Sequence, residues 1–139
     1  MTISDEIVAV SSGARFYRAD LHIHSYPASH DVKDLGMTPD AIVVEAIKEG
    51  LNLIAITDHN DISNVSNVLK AAEKTTLCVI PGVELSTSDG HLLVYFSQYS
   101  ELEAYFGKLD IEGKATKDSR CSTSMLECLN DLALRMRIS

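Results

Sequence analysis

Residues 38–57, TPDAIVVEAIKEGLNLIAIT, carry a helix signal that is followed directly by a strand signal. Thr38 is a good N-cap, Pro39 suits the first helical position, and Gly50 is placed to end the helix. Residues 51–57 are an almost uninterrupted apolar run, as expected of a strand that is buried on both faces. We therefore predict a helix over 38–51 and a buried strand over 51–57.

The segments on either side extend this alternation of strands and helices. Residues 17–25, YRADLHIHS, alternate apolar and polar side chains as a strand does, and residues 62–74 have a moderately amphipathic helical pattern. Residues 76–82 form another apolar strand, and the strands VELST and HLLVYF then follow on either side of the turn signal at 88–90. This order indicates an α/β fold, with parallel strands that form a sheet or barrel.

The two ends of the chain are less informative. Residues 1–16 show weak periodicity and are interpreted as a short arm or edge element, so the main domain is predicted over 17–139. Two helical stretches near the C-terminus each begin with a capping-box pattern, from Ser100 to Glu103 and from Ser124 to Glu127. The polar residues 110–120 between them are predicted to form a mobile loop.

Composition limits the classes of protein that this chain can belong to. The 139 residues are 45% apolar and 23% charged, which is typical of one globular domain. No apolar run is long enough to cross a bilayer, and the N-terminus lacks a basic signal-peptide region, so we expect no membrane association. The net charge of −8 argues against broad electrostatic binding of nucleic acid, unless bound cations neutralise some of the acids and hold phosphates themselves.

The cysteines indicate a reducing compartment. Their number is odd, and none of them belongs to a Cys-x-x-Cys pair: Cys78, Cys121 and Cys128. We interpret them as small core residues and expect the protein to be cytoplasmic.

All five histidines lie between positions 22 and 91, each near a predicted strand end. His22 and His24 are two residues apart on a strand, so they point to the same face and can offer two imidazoles to one cation. His30 follows six residues later. Taken alone, the His-x-His pair is equally compatible with hydrogen-bonded core histidines.

The next two strands supply further polar groups. Asp58 and His59 follow the strand that ends at 57, and Glu84 interrupts an apolar strand, where a carboxylate is costly to bury unless it is paired or bound to a metal. His91 begins the next strand. Each residue has an ordinary alternative, such as a turn cap, an exposed edge or an ion pair with arginine, but their combination predicts a site for more than one metal ion.

These motifs resemble the PHP superfamily, which is named for its polymerase and histidinol phosphatase members. The resemblance covers residues 18–96 and rests on DLHIHS with a further histidine at position 30, on MTPDAIVVEAIKEGLNLIAITDHN, and on VIPGVELSTSDGHLLVYF. It implies part of a distorted (β/α)7 barrel that binds up to three divalent metals: zinc, manganese, iron or magnesium. It also implies hydrolysis of phosphoesters, with a phosphorylated small molecule, a nucleotide or a nucleic-acid end as the substrate.

The resemblance assigns roles to residues by position. His22, His24 and Glu84 match a first metal site, and Glu84 is expected to bridge to a second metal that also takes His91. In such a site the cations would supply polarisation of the phosphoryl group and activation of a water for in-line attack.

A third metal site is implied by His30 and His59, with Asp31 as the alternative ligand because some relatives have an aspartate there. Spacing favours His30. Asp58 and His59 are carried over as catalytic residues, with Asp58 expected to orient a ligand or the attacking water.

The chain departs from the family pattern in length. Family members normally exceed 200 residues, and later strands supply a histidine and an Asp-x-His, whereas this sequence has no histidine after His91. The chain therefore resembles the N-terminal part of the domain, and we expect weak or absent turnover from a chain of this length. We also expect open sheet edges that another copy could cover.

The residues that follow the motif region loosely resemble PHP domains fused to SMC-like or AAA-like ATPases. The sequence has no P-loop, so an ATPase domain would lie elsewhere in a longer protein. Two other functions stay open: an amidohydrolase-type metal hydrolase, against which the TDHN and GVELS motifs argue, and a non-catalytic module, stabilised by metal, that mediates assembly.

Overall fold

The computed structural model describes residues 16–114 and 116–136. Its first half alternates strands and helices as predicted: β1 (Ala19–Ile23), α1 (Pro39–Lys48), β2 (Leu53–Ile56), α2 (Val65–Ala72) and β3 (Cys78–Thr87). The second half contains β4 (Gly90–Tyr95), α3 (Tyr99–Phe106), β5 (Ile111–Glu112), β6 (Arg120–Cys121) and α4 (Met125–Met136). The predicted N-terminal arm at 1–16 lies outside the described residues except for its last position.

Helix α1 forms where its end signals predict. The Thr38 hydroxyl accepts a hydrogen bond from the Ala41 N–H at 3.4 Å, and Pro39 is the first helical residue. The helix ends at Lys48, earlier than predicted, because the chain turns at Gly50, whose φ of 69° is in the left-handed region that favours glycine.

The six strands form one mixed sheet in the order β1-β2-β3-β6-β5, with β4 paired to β3 outside this path. The pairs β1–β2, β2–β3 and β3–β6 are parallel, whereas β3–β4 and β5–β6 are antiparallel. The expectation of parallel strands thus holds through β3 and fails at β4, because the short turn at 88–90 returns the chain as a hairpin.

Strand β3 is longer than the sequence indicates. The predicted strand at 76–82 and the segment VELST form a single ten-residue strand that runs through Pro81 and Gly82. A Cβ on Gly82 would lie 3.1 Å from the carbonyl oxygens of Ile56 and Val94, so a larger residue would crowd the neighbouring strands.

Three smaller predictions for the C-terminal half need correction. The helix α3 begins at Tyr99, and the Glu101 carboxylate accepts a hydrogen bond from the Gln98 N–H, instead of the predicted box from Ser100 to Glu103. The predicted loop at 110–120 contains the β5–β6 hairpin. Cys78 is exposed, although Cys121 and Cys128 are buried as expected.

The Ser124–Glu127 capping box is confirmed. The Ser124 N–H donates to the Glu127 carboxylate at 3.0 Å, and the Glu127 N–H donates to the Ser124 hydroxyl at 3.3 Å.

The apolar core lies between the sheet and the helices. Its fully buried side chains include Ile54, Ile56, Val65, Val68, Val83, Leu85, Leu102 and Tyr105. β1 lies at one end of the strand order, and four of its five residues are exposed, as expected of a sheet edge. None of the helices in the described part of the chain is long and apolar enough to cross a membrane.

Candidate metal centre

Glu84 is the centre of the predicted site. Val83 and Leu85 on either side of it enter the core, so the alternation of β3 turns the Glu84 carboxylate to the opposite face. Its Oε2 lies 2.7 Å from His22 Nε2 and 2.8 Å from His24 Nε2, and its Oε1 lies 2.5 Å from His91 Nδ1. One carboxylate that is only 4% exposed therefore contacts three imidazoles.

Strand geometry brings these residues together. His22 and His24 lie at and just after the end of β1, and their Nε2 atoms are 3.1 Å apart. His91 is the second residue of β4. Ligand atoms in a tetrahedral site with bonds of about 2.0–2.1 Å are about 3.3 Å apart, so the three donor atoms of His22, His24 and Glu84 are spaced to share one cation.

The loop after β2 lies beside Glu84 because its backbone continues the β2–β3 pairing. His59 pairs with Glu84 in an isolated parallel bridge, the Glu84 N–H donates to the Asp58 carbonyl, and the Asn60 N–H donates to the Glu84 carbonyl. His59 Nε2 is consequently 3.8 Å from Glu84 Oε2. Its other ring nitrogen, Nδ1, lies 3.0 Å from the Ser86 hydroxyl, which can fix the tautomer of the ring.

The loop after β1 brings Asp31 to the same cluster. Asp31 Oδ2 lies 2.9 Å from His24 Nδ1 and 3.7 Å from His59 Nε2. The Asp31–His24 contact resembles the carboxylate–histidine pairs that orient metal-binding imidazoles.

Three groups of donor atoms in the described residues could each hold a metal ion. They are His22, His24 and Glu84; His24, Asp31 and His59; and His59, Glu84 and His91. The groups overlap, and a neutral imidazole has only one free lone pair. His24 can therefore serve the first or the second group at a given time, but not both, so three groups do not by themselves imply three ions.

His30 has a different position from the other histidines. It is exposed, and its ring centroid lies 5.1 Å from that of His59. None of the three donor groups in the described residues includes it, whereas Asp31, the alternative from sequence, belongs to one of them. The assignment of His30 as a ligand stays a prediction.

Asp58 supports the loop after β1. It is fully buried, and its two oxygens accept hydrogen bonds from the N–H and the hydroxyl of Ser25, at 2.5 and 2.6 Å. Asn64 donates to the Ser25 hydroxyl at 2.9 Å and to the Tyr26 carbonyl at 3.0 Å. These contacts fit a residue that orients the ligand-bearing loop.

The electrostatics of the cluster favour a cation. Burial would raise the pKa of Glu84, but contacts with His22, His91 and His24 outweigh it and lower this pKa to about 2. Burial would also raise the pKa of Asp31, but its contacts with Ser29 and His24 outweigh this effect and lower the pKa to about 2. Two ionised carboxylates are therefore present at neutral pH.

The pKa values of His24 and His59 shift in opposite directions. Burial would lower the pKa of His24, but its contacts with Asp31 and Glu84 outweigh this effect and raise the pKa. For His59, burial dominates and lowers the pKa, so its ring is neutral and can act as a ligand at neutral pH. The donor set of imidazoles and carboxylates suits zinc, manganese or iron, and its chemistry therefore fits the implied metals.

Burial raises the pKa of Asp58 to about 6 from an ordinary 3.8, which makes a testable contribution to stability. An acid whose pKa is raised by folding stabilises the folded state less as pH rises, and the loss falls between about pH 4 and pH 6. For this fully buried group the loss is on the order of 3 kcal/mol. Denaturant unfolding of the metal-free protein should show that Asp58→Asn loses less free energy of unfolding from pH 4 to pH 7 than the wild type.

The exposed Asp131 on α4 provides the control for this measurement. Asp131→Asn should retain the pH dependence of the wild type. Equal pH dependence in Asp58→Asn and the wild type would contradict the assigned pKa.

Apart from Asp58, sequence reasoning did not identify the residues that support the ligands. Ser86 lies two positions after Glu84 on β3, so strand periodicity alone could have placed its hydroxyl on the face of the site. Ser25, Ser29 and Asn64 lie in loops or at a helix start, where no periodic signal could have identified them.

Most of the chain matches the model of a known protein family. The model of the PHP domain matches residues 20–127 of this chain.

Curated relatives are similar to this chain over about half of its length, and two of them show the range. An error-prone DNA polymerase from Cutibacterium acnes is 38% identical over 68 residues, which are 49% of this chain and 6% of the polymerase. A 5'-3' exoribonuclease from Haemophilus influenzae is 36% identical over 69 residues, which are 50% of this chain and 23% of that protein. The matched region thus spans less than a quarter of the length of either relative.

Several solved structures share the fold of part of this chain, and two of them are at least 25% identical to it. A protein from Bifidobacterium adolescentis that is assigned as a metal-dependent phosphoesterase has a TM-score of 0.52 and 25% identity, over 66% of this chain and 32% of its own. An amidohydrolase from Chromobacterium violaceum has a TM-score of 0.51 and 26% identity, over 65% of this chain and 32% of its own. Both neighbours carry names of hydrolytic enzymes.

Proposed function

Because this chain belongs to the PHP domain family, we propose that it is the metal-binding part of a hydrolase that cleaves phosphoester bonds. The single observation that carries the proposal is the contact of the Glu84 carboxylate with His22, His24 and His91. When bound, divalent cations would supply Lewis-acid polarisation of a phosphoryl group and activation of a water.

The residues of the chain have distinct parts in this proposal. Glu84 presents one oxygen to His22 and His24 and the other to His91, so it could bridge two cations. The side chains of His22 and His91 are 50% and 58% exposed, which leaves that side of the cluster accessible to a substrate. The Asp58 side chain contributes by holding the loop after β1 through Ser25, and its carbonyl accepts a hydrogen bond from the Glu84 N–H.

For the substrate, we propose a nucleotide or a nucleic-acid end ahead of other phosphorylated small molecules. The support is the similarity to the Haemophilus influenzae 5'-3' exoribonuclease and to the error-prone DNA polymerase, both of which act on nucleic acids by name. A net charge of −8 would repel a polyanion, so cations in the site would have to hold its phosphate.

Further proposals concern the complete fold, its partners and its location in the cell. We propose that the described strands form part of a PHP-type barrel. We also propose that an ATPase domain accompanies this barrel in a longer protein. The exposed edge at β1 would then pair with another segment or with another copy of the chain. A cytoplasmic location is proposed from the three free cysteines.

The proposed activity can be tested with the whole chain after chelation and reloading with manganese, zinc or magnesium. The substrates are p-nitrophenyl phosphate, bis(p-nitrophenyl) phosphate and a 5'-phosphorylated oligoribonucleotide. We expect slow turnover that depends on metal and is absent in Glu84→Gln, with Glu45→Gln, an exposed residue of α1, as the matched control. Turnover equal in the wild type and Glu84→Gln would contradict the proposal.

Amide hydrolysis is the second candidate, and one observation favours it. The amidohydrolase from Chromobacterium violaceum shares this fold at 26% identity. Parallel assays with amide substrates would discriminate the two reactions, since the proposal expects product from phosphoesters alone. Stoichiometric metal without any turnover would instead favour the non-catalytic assembly module.

The choice between Asp31 and His30 as a ligand can be tested by substitution. Because Asp31 Oδ2 contacts His24 and lies 3.7 Å from His59, we expect Asp31→Asn to weaken manganese binding by about tenfold or more. His30→Gln, at the exposed neighbour, should change the affinity by less than about threefold. Isothermal titration calorimetry measures both effects, and the opposite ranking would assign the ligand role to His30.

A further inference from the structure

The loop between β1 and α1 contains a buried hydroxyl that touches two of the candidate donor residues without being a donor itself. Ser29 is 1% exposed. Its Oγ donates to Asp31 Oδ1 at 2.6 Å and accepts from the backbone N–H of His59 at 3.4 Å. It therefore connects the loop after β1 to the loop after β2.

From this geometry we infer that Ser29 is a positioning residue, which holds Asp31 Oδ1 so that Asp31 Oδ2 faces the imidazoles of His24 and His59, while the His59 N–H holds the Ser29 hydroxyl in place. The inference rests on the proposed metal-dependent function. With Oδ1 occupied by the Ser29 hydroxyl, Oδ2 is left at 2.9 Å from His24 Nδ1 and at 3.7 Å from His59 Nε2.

Asp31 needs such a partner because packing does not fix it. Its side chain is 44% exposed, so without the Ser29 contact its contact with His24 would be left to hold the carboxylate against rotation into solvent. A hydroxyl can donate to a carboxylate and accept from an amide at the same time, and alanine can do neither. Serine is also small enough for a position that is almost completely buried.

The position of Ser29 is itself determined by the buried polar residues around it. The Ser29 N–H donates to the Ser25 carbonyl at 2.9 Å, and Ser25 is held by Asp58 and Asn64. All buried side-chain polar atoms in the described part of the chain have a hydrogen-bond partner, so this loop is internally satisfied and has a defined conformation.

The test is a double-mutant cycle on manganese affinity, measured by calorimetry on the metal-free whole chain. We expect Ser29→Ala to weaken binding by about tenfold in the wild-type background. In the Asp31→Asn background the same substitution should weaken binding by less than about twofold, because its effect passes through Asp31. Ser66→Ala, at an exposed serine of α2, is the matched control and should bind as the wild type does.

A merely structural role gives a different result. Ser29→Ala would then lower the melting temperature of the metal-free protein and weaken binding equally in both backgrounds, which would overturn the inference. Ser29→Thr retains the hydroxyl and should bind within about threefold of the wild type; a folded threonine variant that loses about tenfold would also overturn it.

The cycle also separates this inference from the proposed function. A wild-type chain that binds no manganese contradicts both of them. A wild-type chain that binds manganese, with Ser29→Ala binding equally well, overturns only the role of Ser29.

Discussion

Replacing Glu84 with glutamine is expected to weaken metal binding by more than about 100-fold and to abolish any metal-dependent hydrolysis. The carboxylate contacts His22, His24 and His91 and belongs to two of the three donor groups, so one substitution damages both. Substitution of a residue that only orients a ligand costs about 10–100-fold, and the loss of a shared ligand should cost more. Elemental analysis after dialysis against manganese measures the effect.

The glutamine variant should remain folded, because the amide has almost the same shape as the carboxylate. Glu45→Gln carries the same chemical change on the exposed surface of α1 and should bind metal as the wild type does. Equal metal content in Glu84→Gln and Glu45→Gln would rule out Glu84 as the shared ligand.

Metal binding is also expected to raise thermal stability strongly. Donors from β1, β3, β4 and the loop after β2 converge on the cluster, so the folded chain binds a cation that the unfolded chain cannot bind in this way. At a free manganese concentration about 100 times the Kd, one ion adds about 2.7 kcal/mol to the free energy of unfolding. For a domain of this size that corresponds to a rise in Tm of about 8 °C.

Calorimetric scans with manganese and with a chelator would measure this rise. In Glu84→Gln we expect a rise of less than about 2 °C at the same manganese concentration. A wild-type Tm that is the same with manganese and with chelator would show that the cluster does not bind metal in the folded state.

The parts of the fold that depend on local signals could be predicted from sequence. The ends of α1 follow from Thr38, Pro39 and Gly50, and the buried strand β2 follows from its apolar run. The convergence of His22, His24 and Glu84 was also predictable, because the sequence placed each of them near the predicted end of a strand, and the carboxyl ends of strands in one parallel sheet meet at the same edge.

Features that depend on tertiary contacts could not be predicted in this way. The passage of β3 through Pro81 and Gly82 is decided by the neighbouring strands, since proline and glycine in sequence indicate a break. Residues 110–120 are polar, and the two-residue strands β5 and β6 are too short to show a period.

The loop from 25 to 31 depends on contacts that residue spacing does not reveal. His30 and Asp31 are adjacent, and spacing favours the histidine, but the backbone conformation of the loop turns the aspartate toward His24. That conformation depends on buried contacts of Ser25 and Ser29 with residues more than 25 positions away, which sequence periodicity does not contain.

The most direct test of the shared cation site is the anomalous scattering of manganese in crystals of the reloaded chain. The geometry predicts a manganese peak that lies within about 2.3 Å of His22 Nε2, His24 Nε2 and Glu84 Oε2 together. Manganese bound elsewhere, or no manganese peak while these three side chains point away from each other, would contradict the site.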